Sequence, residues 1–198
     1  MSGTYPENPT FQTVGFKINT PTLSSETLSG KTNRVGMGHS FYTFSAQYNN
    51  MTDYDMGPII GFIAAQYGPL EDFQIHLPRI SFTKAGNQTT NSVTTTASAT
   101  TGNNSVTITG AGAGETVLLA GDFFKFNNHS KVYMCTSDFT YGDTTLYFSG
   151  SLVADVPSGT ALTITDVPFT VILDNEVQEF QVGLGGISTL QLDFREVW

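Results

Sequence analysis

Residues 120–135 read AGDFFKFNNHSKVYMC. Two short runs rich in aromatic and β-forming side chains, DFFKF and KVYMC, flank a polar turn, NNHS. That is the pattern of a β-hairpin. Asn127 and Asn128 suit the positive φ angles that tight turns require. His129 has no acidic or thiol partner within several residues, so it reads as part of the turn and not as a catalytic group.

Working outward, the chain between residues 105 and 164 continues as short strands at close spacing: SVTIT, TVLL, DFFKF, KVYMC, TTLYF and ALTI. GAGAGE, NNHS, YGD and VPSG mark the gaps, and this rhythm predicts a small closed β-barrel. Longer alternating strands follow residue 167, PFTVIL and STLQLDFREV, with Leu190, Leu192 and Phe194 on one face.

Upstream, RVGMGHSFYTFSAQY at residues 34–48 also alternates, Tyr42, Phe44 and Ala46 against Phe41, Thr43 and Ser45. The next stretch, DYDMGPIIGFIAAQYG, predicts one short amphipathic helix. Asp53 or Asp55 serves as its cap and Pro58 sits in its first turn, with Met56, Ile59, Ile60, Ile63 and Tyr67 at helical spacing. Gly68-Pro69 ends it, and DFQIHLP gives a strand that stops at Pro78. The first thirty residues are polar and turn-rich, with one strand at 13–18. Residues 84–105, KAGNQTTNSVTTTASATTGNNS, have a linker-like composition, although threonine favours strands and part of the segment is expected to pair.

The resulting fold class is mainly β. A β-sandwich or barrel-like outer domain with one short helix, residues 1–78 plus 167–198, is interrupted by a small β-barrel, residues 79–166. Insertion is reasonable because domain termini often lie close together at the surface.

Composition narrows the function. The chain has 198 residues, enough to bury a substantial core. Only 13 % are charged, about half the usual quarter, and the formal net charge is −9. No Lys/Arg cluster is present, which disfavours tight binding to a phosphate backbone. Cys135 is the single cysteine, so neither an intrachain disulfide nor a cysteine zinc site can form. MSGTYPENPTF lacks the basic and apolar regions of a secretory signal. The longest apolar run, PIIGFIAA, is too short to span a bilayer.

Motifs for chemistry are sparse. The glycine run at 110–114 precedes a strand, not a helix, and lacks Gly-Lys-Ser/Thr, so it reads as a wide hairpin and not a nucleotide loop. His39, His76 and His129 form no HExxH or HxxxH pair, and no GxSxG elbow exists. His39 and His76 fall within strand patterns and read as structural. The pairs Asp53/Asp55, Glu71/Asp72 and Asp193/Glu196 carry no spacing that specifies catalysis, and a hydrolase with dispersed carboxylates is the weakest reading. Asp122 is expected to order its own turn, and no calcium loop is present. Tyr42, Phe44, Tyr133 and Tyr147 lie on alternating strands and are expected to pack in the core. No catalytic, cofactor-binding or metal-binding residue is assigned.

In their order these features resemble the distal tail proteins of tailed bacteriophages, of the siphophage, coliphage type. The resemblance is carried by Leu77-Pro78 closing the first half and by AGDFFKF and HSKVY within residues 120–133. PFTVIL and GGISTLQLDFREV within residues 168–197 extend it, as does the short helix before FQIHLP. It covers nearly the whole chain, departing from the pattern at the Thr/Ser/Asn-rich residues 89–105. The resemblance implies a structural virion protein with no enzymatic activity, cofactor or metal. It implies a hexameric ring at the distal end of the tail, joining the tail tube to the hub, tip or baseplate. The outer domain would form the ring and an OB-fold-like insert would project from it. The implied partners are other copies of the chain, the tail tube protein and the hub or baseplate proteins. DNA passes through the channel without specific binding, no membrane is involved, and the protein is made in the host cytoplasm before joining the virion. The alternative is a carbohydrate-binding β-module of a tail fibre or baseplate, used in host-surface attachment. A ring former assembles with tail partners, whereas such a module is a monomer retained on a glycan matrix.

Overall fold

Period-two alternation, read over FYTFSAQY, builds the longest strand of the protein. The computed structural model describes residues 3–36, 38–85, 93–109, 112–177, 179–182 and 187–198. In chain order, the first half contains strands β1 (Thr13–Asn19), β2 (Thr22–Glu26), β3 (Thr32–Gly36) and β4 (Phe41–Thr52), helix α1 (Asp53–Ala65), a 3-10 turn (Gly68–Leu70) and β5 (Phe73–Ile75). Eight short strands follow: β6 (Val93–Thr94), β7 (Ser105–Thr107), β8 (Thr116–Leu118), β9 (Phe123–Phe126), β10 (Val132–Met134), β11 (Phe139–Thr140), β12 (Thr145–Tyr147) and β13 (Ala161–Thr163). The chain closes with β14 (Phe169–Leu173), β15 (Phe180–Val182) and β16 (Ile187–Glu196).

One antiparallel sheet runs β1-β4-β16-β14-β5, with β15 pairing the first half of β16. Its two long central strands are in register at Leu192↔Ala46 and Phe194↔Phe44. Leu190, Leu192 and Phe194 therefore share the buried face with Tyr42, Phe44, Ala46 and Tyr48, as the alternation predicts. Helix α1 covers this face with Met56, Ile59 and Ile63. Burying several such side chains, each contributing roughly 1.5–3 kcal/mol, is what holds the layer together.

The helix starts one residue earlier than the acidic caps suggest. Thr52 is the N-cap: its hydroxyl oxygen accepts from the Asp55 N–H and its proton goes to the Asp55 carboxylate at 2.7 Å. This reciprocal arrangement resembles a capping box. Pro58 consequently lies inside the helix, beyond its first turn. Tyr67 is not on the buried stripe. The helix ends at Ala65, and Tyr67 takes a left-handed φ of 53° that turns its ring into solvent. The alternating run at 34–48 is also two strands, β3 and β4, because the chain bends through Gly38 at φ 76°.

The short strands surround a second apolar cluster that includes Val106, Leu118, Phe124, Phe126, Tyr133, Phe139, Phe148 and Leu162. They form a four-stranded sheet, β10-β9-β13-β6, and two-stranded ribbons β11-β8 and β12-β7. Here the expected closed barrel is corrected. With strands of two to four residues the ladders do not run continuously around the core, and single bridges such as Thr95↔Ile108 and Cys135↔Phe148 link them instead. The threonine-rich segment pairs from Val93 onward, whereas residues 86–92 lie outside the described residues. The described strands on either side of the glycine run, β7 and β8, pair with β12 and β11 and not with each other. Gly110 and Ala111 of that run also lie outside the described residues.

Candidate assembly surfaces and the seam between the cores

The hairpin of residues 120–135 forms a wall between the two cores. In β9 and β10, Phe123 and Val132 belong to the first cluster, while Phe124, Phe126 and Tyr133 belong to the second. Alternation on a pleated strand puts neighbouring side chains on opposite faces. Because both faces are apolar, each serves a different core. Phe123 stacks edge-on against Phe16, Tyr42 and Phe169 of the large sheet, with ring centroids 5.3–5.5 Å apart.

At the edge of this wall lies a buried ion pair. The Lys131 ammonium donates to Glu196 Oε2, and the backbone N–H groups of Val132 (3.0 Å) and Tyr42 (3.2 Å) donate to the same carboxylate. The rings of Tyr42 and Trp198 each have their centroid 4.6 Å from the Lys131 nitrogen. Burial pushes the Glu196 carboxyl up and the Lys131 ammonium down, and their mutual attraction pulls each part of the way back. This group fastens the 120–135 hairpin to the end of β16. Sequence reading missed it, since the two charges are far apart in the chain and Lys131 looks like an ordinary strand-edge lysine.

His129 sits in the turn between β9 and β10. Its Nδ1 contacts Asn128 Oδ1 and its Nε2 contacts the Tyr133 hydroxyl, both at 2.9 Å. With the Nδ1–H donating to Asn128 Oδ1, the neutral ring accepts the Tyr133 hydroxyl proton at Nε2, while the Tyr133 oxygen accepts from the Val153 N–H. Burial, with Lys125 and Lys131 nearby, lowers its pKa to about 4. His39 precedes β4 and bonds Ser151 Oγ at 3.0 Å. His76, just beyond β5, pairs with Asp166 at 2.6 Å beside a hollow of about 260 Å³ lined by Tyr5, Pro9, Phe11 and Phe82. Thus each histidine has a separate local partner, and the structure does not bring the three together.

Asp122 orders its turn by accepting from the Leu119 N–H, and also holds Thr83 and the Lys84 N–H. Asp53 and Asp55 sit in the first turn of α1. Tyr42, Phe44 and Tyr133 are in the cores as expected, while Tyr147 is half-exposed. Among the described residues, no three His, Cys, Asp or Glu side chains gather where they could hold a metal. No helix among them is long and apolar enough to cross a membrane.

The feature most suited to contact other molecules is the β2–β3 hairpin. Every residue from 21 to 36 is exposed. Leu23 and Val35 lie directly opposite each other, and Leu28 at the tip is fully exposed. A two-stranded hairpin with no buried face is marginal in water. Sequence reading missed this arm too, because with neither face buried TLSSE and TNRVG show no alternation. The far face of the large sheet is different: a polar surface of Thr43, Ser45, Gln47 and Gln191, cross-linked by Gln47–Gln191 and Gln191–Ser45 hydrogen bonds.

Residues 81–149, about a third of the chain and spanning strands β6 to β12, match the family model described as "Distal tail protein pb9, B domain". No curated protein matches the chain. The segment that supplies much of the second core is therefore similar to the B domain of a phage distal tail protein.

Proposed function

We propose that six copies of the protein form a ring at the distal end of the tail, joining the tail tube to the hub, tip or baseplate. In this reading residues 1–78 and 167–198 form the ring and residues 79–166 project from it. The carrying observation is the wholly exposed β2–β3 arm, whose apolar residues have nothing to cover them within one copy. Open strand edges and apolar arms invite association, and a closed ring covers each with the next subunit. The similarity to a distal-tail B domain supports placing that ring in a phage tail, and the six-fold order follows the resemblance to the siphophage proteins.

DNA must cross such a ring without adhering. Each lumen-facing Lys or Arg would add a phosphate contact in every subunit. A chain of net charge −9 favours a neutral or acidic wall, which repels the duplex within a Debye length of about 8 Å. Negative-stain images of the purified protein mixed with its tail tube protein test the assembly. Six-lobed rings capping the tube ends are expected, and monomers that leave the tubes uncapped overturn the reading.

A further inference from the structure

An exposed apolar patch lies on the opposite side of the large sheet from the arm. The arm joins β1 to β4, at the β1 edge of the sheet. The patch is built by the 3-10 turn, which precedes the edge strand β5, and by the loop after β14. There Tyr67, Pro69, Leu70 and Glu176 line a depression of about 500 Å³. Tyr67 and Leu70 are 77 % and 74 % exposed, and Val177 next to Glu176 is 81 % exposed. Gly68 lies close to the backbone of Glu176, so the turn and the loop are neighbours.

The two surfaces differ in charge. The patch is rimmed by carboxylates, with Glu71 following Leu70 and Glu176 in its wall. The arm carries Lys31 and Arg34 among its three apolar residues, with Glu26 as its only acid. An apolar centre with oppositely charged rims is the general layout of a specific protein contact.

We infer that the β2–β3 arm of one copy docks on the Tyr67–Leu70 patch of the next. Leu28 and the Leu23–Val35 pair cover the apolar depression, and Lys31 and Arg34 face Glu71 and Glu176. Because arm and patch lie at opposite edges of one sheet, the contact is head-to-tail, and such contacts generate rings when the rotation closes. This inference rests on the ring reading above and adds which surfaces meet.

The test uses full-length protein assembled into tails, with a photoreactive residue replacing Leu28. After irradiation, mass spectrometry is expected to find position 28 joined to residues 67–72 or 174–177 of a second copy. Intact six-membered rings with the cross-link elsewhere, or with none, overturn the arm-to-patch contact while leaving the ring reading standing. Tails without such rings defeat both. Charge reversal gives a second readout. K31E/R34E and E71K/E176K are each expected to lower the yield of rings about tenfold, since like charges then face each other. Combining all four changes is expected to restore it, and a further loss on combination contradicts the contact.

Discussion

Lys131 and Glu196 form a fully buried ion pair that joins the turn side of β10 to the end of β16. Each charge has lost most of its water, so the pair is held by mutual attraction, two backbone N–H donors and two aromatic rings. Removing one partner strands the other. Lys131→Met is expected to cost about 3–5 kcal/mol, and Glu196→Gln a comparable amount. The double variant K131M/E196Q is expected to recover most of that loss, because no uncompensated charge remains. Urea unfolding of the four proteins checks this, and additive losses in the double variant would show that the pair is not coupled.

His129 gives the stability a defined pH dependence. Its folded pKa, about 4, lies below the ordinary 6.5 because the neutral ring is half-buried between Asn128 and Tyr133. A depressed folded pKa means that the unfolded chain binds the proton more readily. The contribution is fully present above about pH 6.5 and is lost as pH falls toward 4. With partial screening of a half-exposed ring, about 1–2 kcal/mol is at stake. His129→Gln is expected to flatten the urea midpoint across this window relative to the unmodified protein. An unchanged slope would mean that another group sets it.

The proposed division into two units predicts a specific weakness when they are separated. Replacing residues 79–166 by a short Gly/Ser linker removes Phe123 and Val132 from the first core and, by removing Lys131, leaves Glu196 without its cation. The excised outer unit is expected to unfold cooperatively but at a reduced midpoint, and Glu196→Gln in that background is expected to raise it. Loss of cooperative unfolding in both forms would indicate one continuous core instead.

The legible parts of this molecule are those where one face is wet and the other dry. Leu190, Leu192 and Phe194 alternate with Gln191, Asp193 and Arg195, and that contrast alone places them on the buried face. The hairpin at 120–135 was legible as a hairpin. Its double duty follows from FFKF, where Phe123 and Phe124 point to opposite faces, but only the structure shows a core on each side. The β2–β3 arm was hidden for the converse reason, since a ribbon wet on both faces leaves no periodic signal. The ion pair was hidden because partners distant in sequence meet only through the packing of β10 against β16. The closed barrel failed on strand length: spacing gives the number of short strands but not whether their ladders join.

The most direct test of the account is a cryo-EM reconstruction of the intact tail, with the chain located by its own density. The account predicts one ring of six copies at the distal end of the tube, the 79–166 segments directed outward and the channel wall free of a Lys/Arg lining. Three- or twelve-fold order at this level, placement away from the tube end, or a basic channel wall would contradict it.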